Sequence, residues 1–223
     1  MVPGLEQALE IFDGIMLGDG GLVRAYKTGN AYFSIALSSS DGRIAVEDLL
    51  SYLQYIKLKC FNPLGISTGT YPAIRERAYT KGPHRGEVYK YARLVTRVSS
   101  FLTSQYIRWY GESRYKEVPD DLALTPVSLA HLFAGDGSSS KEQCSPSIHC
   151  NLSTPDFSIH SVETLERQLR QLGIISLGRK HQHVARGSGI SVVIHQDSLN
   201  DFMDMINRYI VEPYRYKLKY RSL

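Results

Sequence analysis

The chain has little cysteine, a single tryptophan and few methionines. Its three cysteines, Cys60, Cys144 and Cys150, are too few and too scattered for a disulfide scaffold. Cys144, His149 and Cys150 fall close together, but their spacing matches no common zinc pattern and no second cysteine pair completes four ligands. They read as buried or half-buried thiols beside an unrelated histidine. No apolar run reaches the roughly 18–20 residues that a membrane span needs. The opening Met1-Val2-Pro3-Gly4-Leu5-Glu6 lacks the basic and then apolar layout of a signal peptide. The expectation is an intracellular protein, cytoplasmic in a prokaryote and otherwise in an organelle or the nucleus. Nor does one sign of charge dominate. Twenty-six Lys and Arg stand against 22 Asp and Glu, for a net charge of +4, which permits nucleic-acid binding without requiring it. Hydrophobic residues at 43% and charged residues at 22% are ordinary globular values, and 223 residues suffice for one large or two small cores.

What is present is one plan used twice. The first half opens with an apolar segment, Leu5 to Leu17, with Leu9, Phe12 and Met16 at helical spacing, and ends in Gly18-Asp19-Gly20-Gly21. Strands are expected over 22–27 and 31–37. In the second, Phe33, Ile35 and Leu37 alternate with Tyr32, Ser34 and Ala36. A helix over 43–58 places Val46, Leu49, Leu50, Leu53 and Ile56 on one face. Strands over 74–81 and 87–96, joined by a Gly/Pro turn, and a helix over 99–110 complete the half. In the second half, Thr125-Pro126 starts a helix, with Thr as N-cap and Pro in the first position. That helix runs through Val127–Ala134 into Gly135-Asp136-Gly137. A weak first strand, a strand over 147–153, a helix over 162–172, strands over 176–185 and 189–195 and a helix over 199–210 follow. The polar segment 111–124 joins the halves, which divide as 1–117 and 118–223. Neither half can bury its first helix alone, so the two helices are expected to pack together. The fold class is α+β, with two pseudo-symmetric αββαββα halves.

The chemistry is concentrated at the ends of those helices. Gly14 and Gly18 in one, and Ala130, Ala134 and Gly135 in the other, allow close approach and place Asp19 and Asp136 at equivalent ends. An acid at a helix C-terminus is disfavoured by the helix dipole. A positive group should offset it, and a divalent cation with hard oxygen ligands is the natural candidate. Each Asp-Gly alone is an ordinary turn; the repetition within a repeated plan is what makes the pair informative. An EF-hand is excluded, because neither aspartate has further acidic ligands at alternating positions.

Both segments, Phe12-Asp13-Gly14-Ile15-Met16-Leu17-Gly18-Asp19-Gly20 and Leu129-Ala130-His131-Leu132-Phe133-Ala134-Gly135-Asp136-Gly137, resemble the two motifs of monomeric LAGLIDADG homing endonucleases. The resemblance extends over nearly the whole chain. Tyr106-Ile107-Arg108-Trp109-Tyr110, Arg114 to Pro119 and Leu124-Thr125-Pro126 look like the family's join between halves. Tyr209 to Leu218 looks like its C-terminal segment. It implies paired motif helices, two antiparallel sheets forming a DNA-binding saddle, and a site-specific, Mg²⁺-dependent cut of both strands of a long duplex target by a monomer. By the resemblance, Asp19 and Asp136 are the metal-binding catalytic acids, assisted by the carbonyls of Gly18 and Gly135. Lys116 and Lys217 match lysines near the cleavage centre that would stabilise phosphate charge or polarise water. Two residues depart from the pattern: Asp13, after Phe12, where an apolar and small pair is usual, and His131, bulky where a small residue is common.

The strand periodicity supplies candidate DNA contacts. Arg75, Arg77 and Tyr79 share one face of their strand; Tyr89, Tyr91 and Arg93 share one face of theirs; Arg179, His181 and His183 share another; Arg24 and Tyr26 lie near the first motif. Two other activities fit the same fold, an RNA-splicing maturase and a non-cleaving DNA-binding protein. The intact pair of acids favours the nuclease. The expected setting is a free-standing, intron-encoded protein.

Overall fold

The structure is a computed structural model that describes residues 4–26, 29–38, 43–69, 72–81, 85–113, 115–141, 148–181 and 187–218. The expected order of elements is observed. The first half runs α1 (Leu5–Leu17), β1 (Gly21–Val23), β2 (Tyr32–Leu37), α2 (Val46–Ile56), β3 (Ala73–Ala78), β4 (Val88–Val95) and α3 (Ser100–Tyr110). The second runs α4 (Pro126–Asp136), β5 (Gly137–Lys141), β6 (Ile148–Leu152), α5 (Ile159–Gln171), β7 (Ser176–Lys180), β8 (Ile190–Ile194) and α6 (Leu199–Asn207). The strands form two four-stranded antiparallel sheets with matching topologies, β1-β2-β4-β3 and β5-β6-β8-β7.

The chain divides into two compact units whose boundary cuts through α1 and α3. The first unit holds Met1–Ile11 and Asp19–Tyr106, the second Phe12–Gly18 and Ile107–Leu223. In the first unit, Phe33, Ile35, Leu37, Ala92 and Leu94 form the buried sheet face. It is covered by α2, which buries Leu49, Tyr52, Leu53 and Ile56. A π-helical turn, Lys57–Phe61, extends α2 and brings Phe61 against Phe33 with ring centroids 4.9 Å apart. Tyr52 belongs to this face although it is not aliphatic, whereas Val46 and Leu50 are only half-buried. In α1 the buried stripe is Ala8, Ile11, Phe12, Ile15, Met16 and Leu17, and Leu9 is exposed. Phe12 and Met16 are buried as their helical spacing leads one to expect, and Ala8 takes the place on that stripe expected for Leu9.

The second unit is built around α4. Thr125 caps it through a reciprocal pair: its Oγ1 accepts from the Ser128 N–H at 3.2 Å and its own N–H donates to Ser128 Oγ at 2.9 Å, with Pro126 next in the chain. Every residue from Val127 to Ala134 is buried. A helix apolar on all sides must be enclosed on all sides. α6 covers one side of it, with Phe202 edge-on to Phe133 at 5.5 Å. The Phe12–Gly18 end of α1 covers another. A Cβ placed on Gly14 would lie 2.5 Å from the Ser128 carbonyl oxygen and 2.7 Å from His131 Cβ, and one on Gly18 would stand 3.7 Å from Gly135 Cα. The two motif helices therefore touch backbone to backbone within this unit.

Both departures from the motif pattern are accommodated here. Asp13 accepts from Arg108 Nη1 at 2.7 Å, and the same guanidinium donates through Nε to Asp121 at 2.9 Å. Burial pushes the Asp13 carboxyl above its ordinary value, against the lowering effect of Arg108. His131 is enclosed, and the bulk it adds is matched by the missing side chain at Gly14. Burial holds its imidazole down to a pKa of about 4.

Two outcomes follow from this packing. Gly14→Ala should destabilise the fold by about 1–3 kcal/mol through overpacking against a backbone carbonyl, read as a lowered midpoint of chemical denaturation; an unchanged midpoint contradicts the close contact. His131 is neutral in the folded state and charges more readily when unfolded, so its contribution is complete above its ordinary pKa near 6.5 and is lost as pH falls towards about 4. The loss amounts to about 3 kcal/mol. His131→Gln should flatten the fall in stability across that window, and an unaltered pH profile contradicts the assignment.

Candidate functional site

The two motif helices terminate differently. α1 stops at Leu17, and Asp19 lies two residues beyond it, exposed. α4 continues through Gly135 to Asp136, its last residue, which is half-buried. Gly137 then begins β5 directly, and a Cβ there would clash with the Phe133 ring, 2.1 Å from its nearest atom. The glycine lets the chain turn from helix to strand in one step and leaves the Asp136 carboxyl at the turn.

Each helix end is capped by one of the lysines picked out in the sequence. Lys116 Nζ donates to the Gly18 carbonyl at 2.7 Å. Lys217 Nζ reaches three carbonyls at the end of α4, Ala134 at 2.7 Å and Phe133 and Gly135 at 3.2 Å each. Lys116 also stands 5.7 Å from the centre of the Phe157 ring, and Lys217 stands 5.2 Å from that of Tyr214, a cation over an aromatic face in each case. An ammonium among terminal carbonyls offsets the negative end of the helix dipole. The positive charge that the sequence argument sought at these ends is thus supplied by the protein itself.

A cavity of about 380 Å³ opens beside Asp136 within the second unit. Gly18, Lys116, Tyr110, Tyr115 and the loop from Ser153 to Phe157 line it, including the Asp156 carboxyl. That loop is tied down by a backbone bond from Ser153 N–H to the Asp136 carbonyl at 2.8 Å and by Thr154 Oγ1 donating to the Ile190 carbonyl at 2.8 Å. The loop residues are not marked in the sequence by pattern or composition; only the fold brings them to Asp136. Within the second unit the Asp136 carboxylate and the Gly18 and Gly135 carbonyls, each with a lone pair beyond the one facing its lysine, are hard oxygen donors of the kind a divalent cation takes.

On the first sheet the register unites the predicted strand residues. Arg75 is paired with Tyr91 and Arg77 with Tyr89, while Arg93 lies between Ala73 and Ala36. Cross-strand partners project to the same side, so Arg75, Arg77, Tyr79, Tyr89, Tyr91 and Arg93 share one face. Tyr79 and Tyr89 have centroids 4.5 Å apart, and Tyr89 and Tyr91 6.0 Å. Ser34, Ala36 and Ser38, not among the candidates chosen from sequence, join Arg77, Tyr89, Tyr91 and Arg93 around a shallow hollow of about 340 Å³. The alternation of β2 was the available signal for them. Arg24 is engaged locally, its Nε donating to the Gly29 carbonyl at 2.7 Å, and Tyr26 beyond β1 is 77% exposed.

On the second sheet Arg179 is paired with Ser191, and His181 Nε2 is hydrogen-bonded to Ser191 Oγ at 2.8 Å. His183 and Cys144 lie outside the described residues. The same face carries Ser138 opposite Asn151 and Ser140 opposite His149, residues missed because β5, Gly-Ser-Ser-Ser-Lys, has no apolar alternation to reveal it. Cys150, next to His149, points the other way into the core, where burial pushes its thiol up to about 12.

The model of the LAGLIDADG DNA endonuclease family matches residues 9–202 of the chain. An uncharacterized protein of Methanocaldococcus jannaschii is 28% identical over 144 residues, covering 59% of this chain and 54% of that protein. The chain thus spans about half the length of that curated relative. Among solved structures, the homing endonuclease I-WcaI bound to its DNA recognition sequence has the same fold, with a TM-score of 0.77 at 18% identity over 96% of this chain and 86% of that one. Mesophilic variants of the homing endonuclease I-DmoI align with a TM-score of 0.49 at 14% identity over 91% of this chain and 96% of that one.

If Lys217 offsets the dipole of α4, Lys217→Met should destabilise the second unit by about 1–2 kcal/mol at low ionic strength, with a smaller difference at high salt. Thermal melts at two salt concentrations measure this, and equal melting temperatures for the variant and the parent would contradict the capping role.

Proposed function

The chain belongs to the LAGLIDADG DNA endonuclease family, and on that premise we propose that it is a site-specific homing endonuclease that hydrolyses both strands of a long duplex target, one strand per half. The observation that carries the proposal is the repeated helix end: a carboxylate, the carbonyl before it and a lysine ammonium, present at Gly18-Asp19 with Lys116 and at Gly135-Asp136 with Lys217. Asp19 and Asp136, each with the carbonyl preceding it, would hold Mg²⁺ or another divalent cation, which when bound lowers the pKa of a water and neutralises charge on the phosphate. Lys116 and Lys217 hold the carbonyls in place and bring positive charge to where phosphate charge develops.

The basic and aromatic faces would grip the duplex. Arg75, Arg77 and Arg93 suit guanine edges and phosphates, and Tyr79, Tyr89 and Tyr91 share their face. In the second half Arg179 and His181 occupy the equivalent face, and Arg24 and Tyr26 add contacts near the first motif. The division into halves at 117 and 118 and action as a monomer are part of the same reading.

The experiment is selection of a bound duplex from random-sequence DNA by the purified protein, followed by incubation of that duplex with Mg²⁺. Cleavage is the expected result, and a duplex that is bound and stays intact would contradict the proposal. Asp19→Asn and Asp136→Asn should each reduce cleavage by about a thousandfold or more while leaving affinity within about tenfold, since neither carboxylate is needed to grip the phosphate backbone.

A further inference from the structure

The two sheets share a topology but differ sharply in the side chains on their open faces. On the first, long cationic and aromatic residues, Arg75, Arg77, Arg93, Tyr79, Tyr89 and Tyr91, stand around the short Ser34, Ala36 and Ser38. On the second the described ones are mostly short, Ser138, Ser140, Asn151 and the buried Ser191, with His149, His181 and a single arginine, Arg179. Leu177, 58% exposed, lies beside Val193 on the same face. Among the described residues, then, three arginines face outward from the first sheet's ladder and one from the second's.

From this difference we infer that the protein reads its duplex unequally, with the half of the target under the first sheet fixed in sequence and the half under the second sheet tolerant. The inference rests on the nuclease reading. The reason is reach and charge. A guanidinium extends well clear of the sheet, is always protonated and bonds two guanine acceptors at once. A serine hydroxyl ends one bond beyond Cβ, so it meets a base edge only through water, and water contacts that can rotate discriminate weakly. The tyrosine row sharpens the contrast. Tyr79, Tyr89 and Tyr91 pack on one another, and Arg75 and Arg77 stand opposite Tyr91 and Tyr89 across the ladder, so this face adds aromatic surface beside its guanidinium groups. Salt sensitivity should divide in the same way, because each phosphate neutralised by an arginine adds about 0.9 to the slope of log affinity against log salt.

The test uses the full chain without divalent metal, so that bound DNA stays intact, and fluorescence anisotropy on three duplexes: the selected target and two versions with one half scrambled. Scrambling one half should lower affinity about a hundredfold, and scrambling the other less than about fivefold. Arg75→Ala and Arg93→Ala should abolish the penalty for scrambling the sensitive half and reduce the salt slope, whereas Arg179→Ala, whatever it takes from overall affinity, should leave the penalty for scrambling that half in place; circular dichroism confirms that these surface variants are folded. Equal penalties for the two halves, or a sensitive half that responds to Arg179→Ala instead, would overturn the inference. Failure of the protein to select any duplex would instead overturn the nuclease reading, so the two failures are distinct.

Discussion

Everything in the second unit depends on how closely two helices approach at Gly14. The α4 helix is apolar on every side, and it is stable only where every side is covered. The Phe12–Gly18 end of α1 covers it with no side chain between backbone and backbone at Gly14. The contact explains why the unusual residues of the motifs can be borne. His131 fits because Gly14 gives it room and because burial keeps it neutral. Asp13 fits because Arg108 spans it and Asp121. Arg108 offsets part of the burial cost of Asp13, whose carboxyl still stands above its ordinary value, and Gly14 gives His131 its room.

The approach has an electrostatic consequence. Carbonyls converge at the C-terminal ends of these helices, and each end is followed or finished by an aspartate. Negative dipole and negative side chain at one place are tolerable because Lys116 and Lys217 enter from outside the motifs and donate to those carbonyls. On the nuclease reading the groups that cap each helix end would also serve phosphodiester chemistry, the aspartate for a cation and the ammonium for the charge that builds on phosphate.

Much of this was legible in the sequence, and the rest was hidden for definite reasons. The αββαββα order repeated in each half could be read because buried strands and helices carry their own periods. Asp19 and Asp136 stood out because the helix ending in Gly-Asp-Gly recurs, and the two lysines stood out through the family resemblance of the segments that carry them. Leu9 was misplaced because it borders the buried stripe of α1, where the smaller Ala8 lies inside and Leu9 outside. β5 and its serines were faint because an open strand face next to a helix end needs no apolar alternation. The loop from Ser153 to Phe157 could not be tied to Asp136 by any pattern, since only the pairing of β5 with β6 brings it there. The carbonyl partners of the lysines were likewise invisible, and they changed the account: the offset to the helix dipole is already present in the chain before any cation is considered.

The central claim is that the two helix ends each serve one strand of a duplex. The most direct measurement is strand-resolved mapping of the products from a target labelled on both strands and incubated with the protein and Mg²⁺. The account predicts one break in each strand, at a fixed stagger near the middle of the bound sequence. Breaks confined to one strand, or scattered along both, would contradict it.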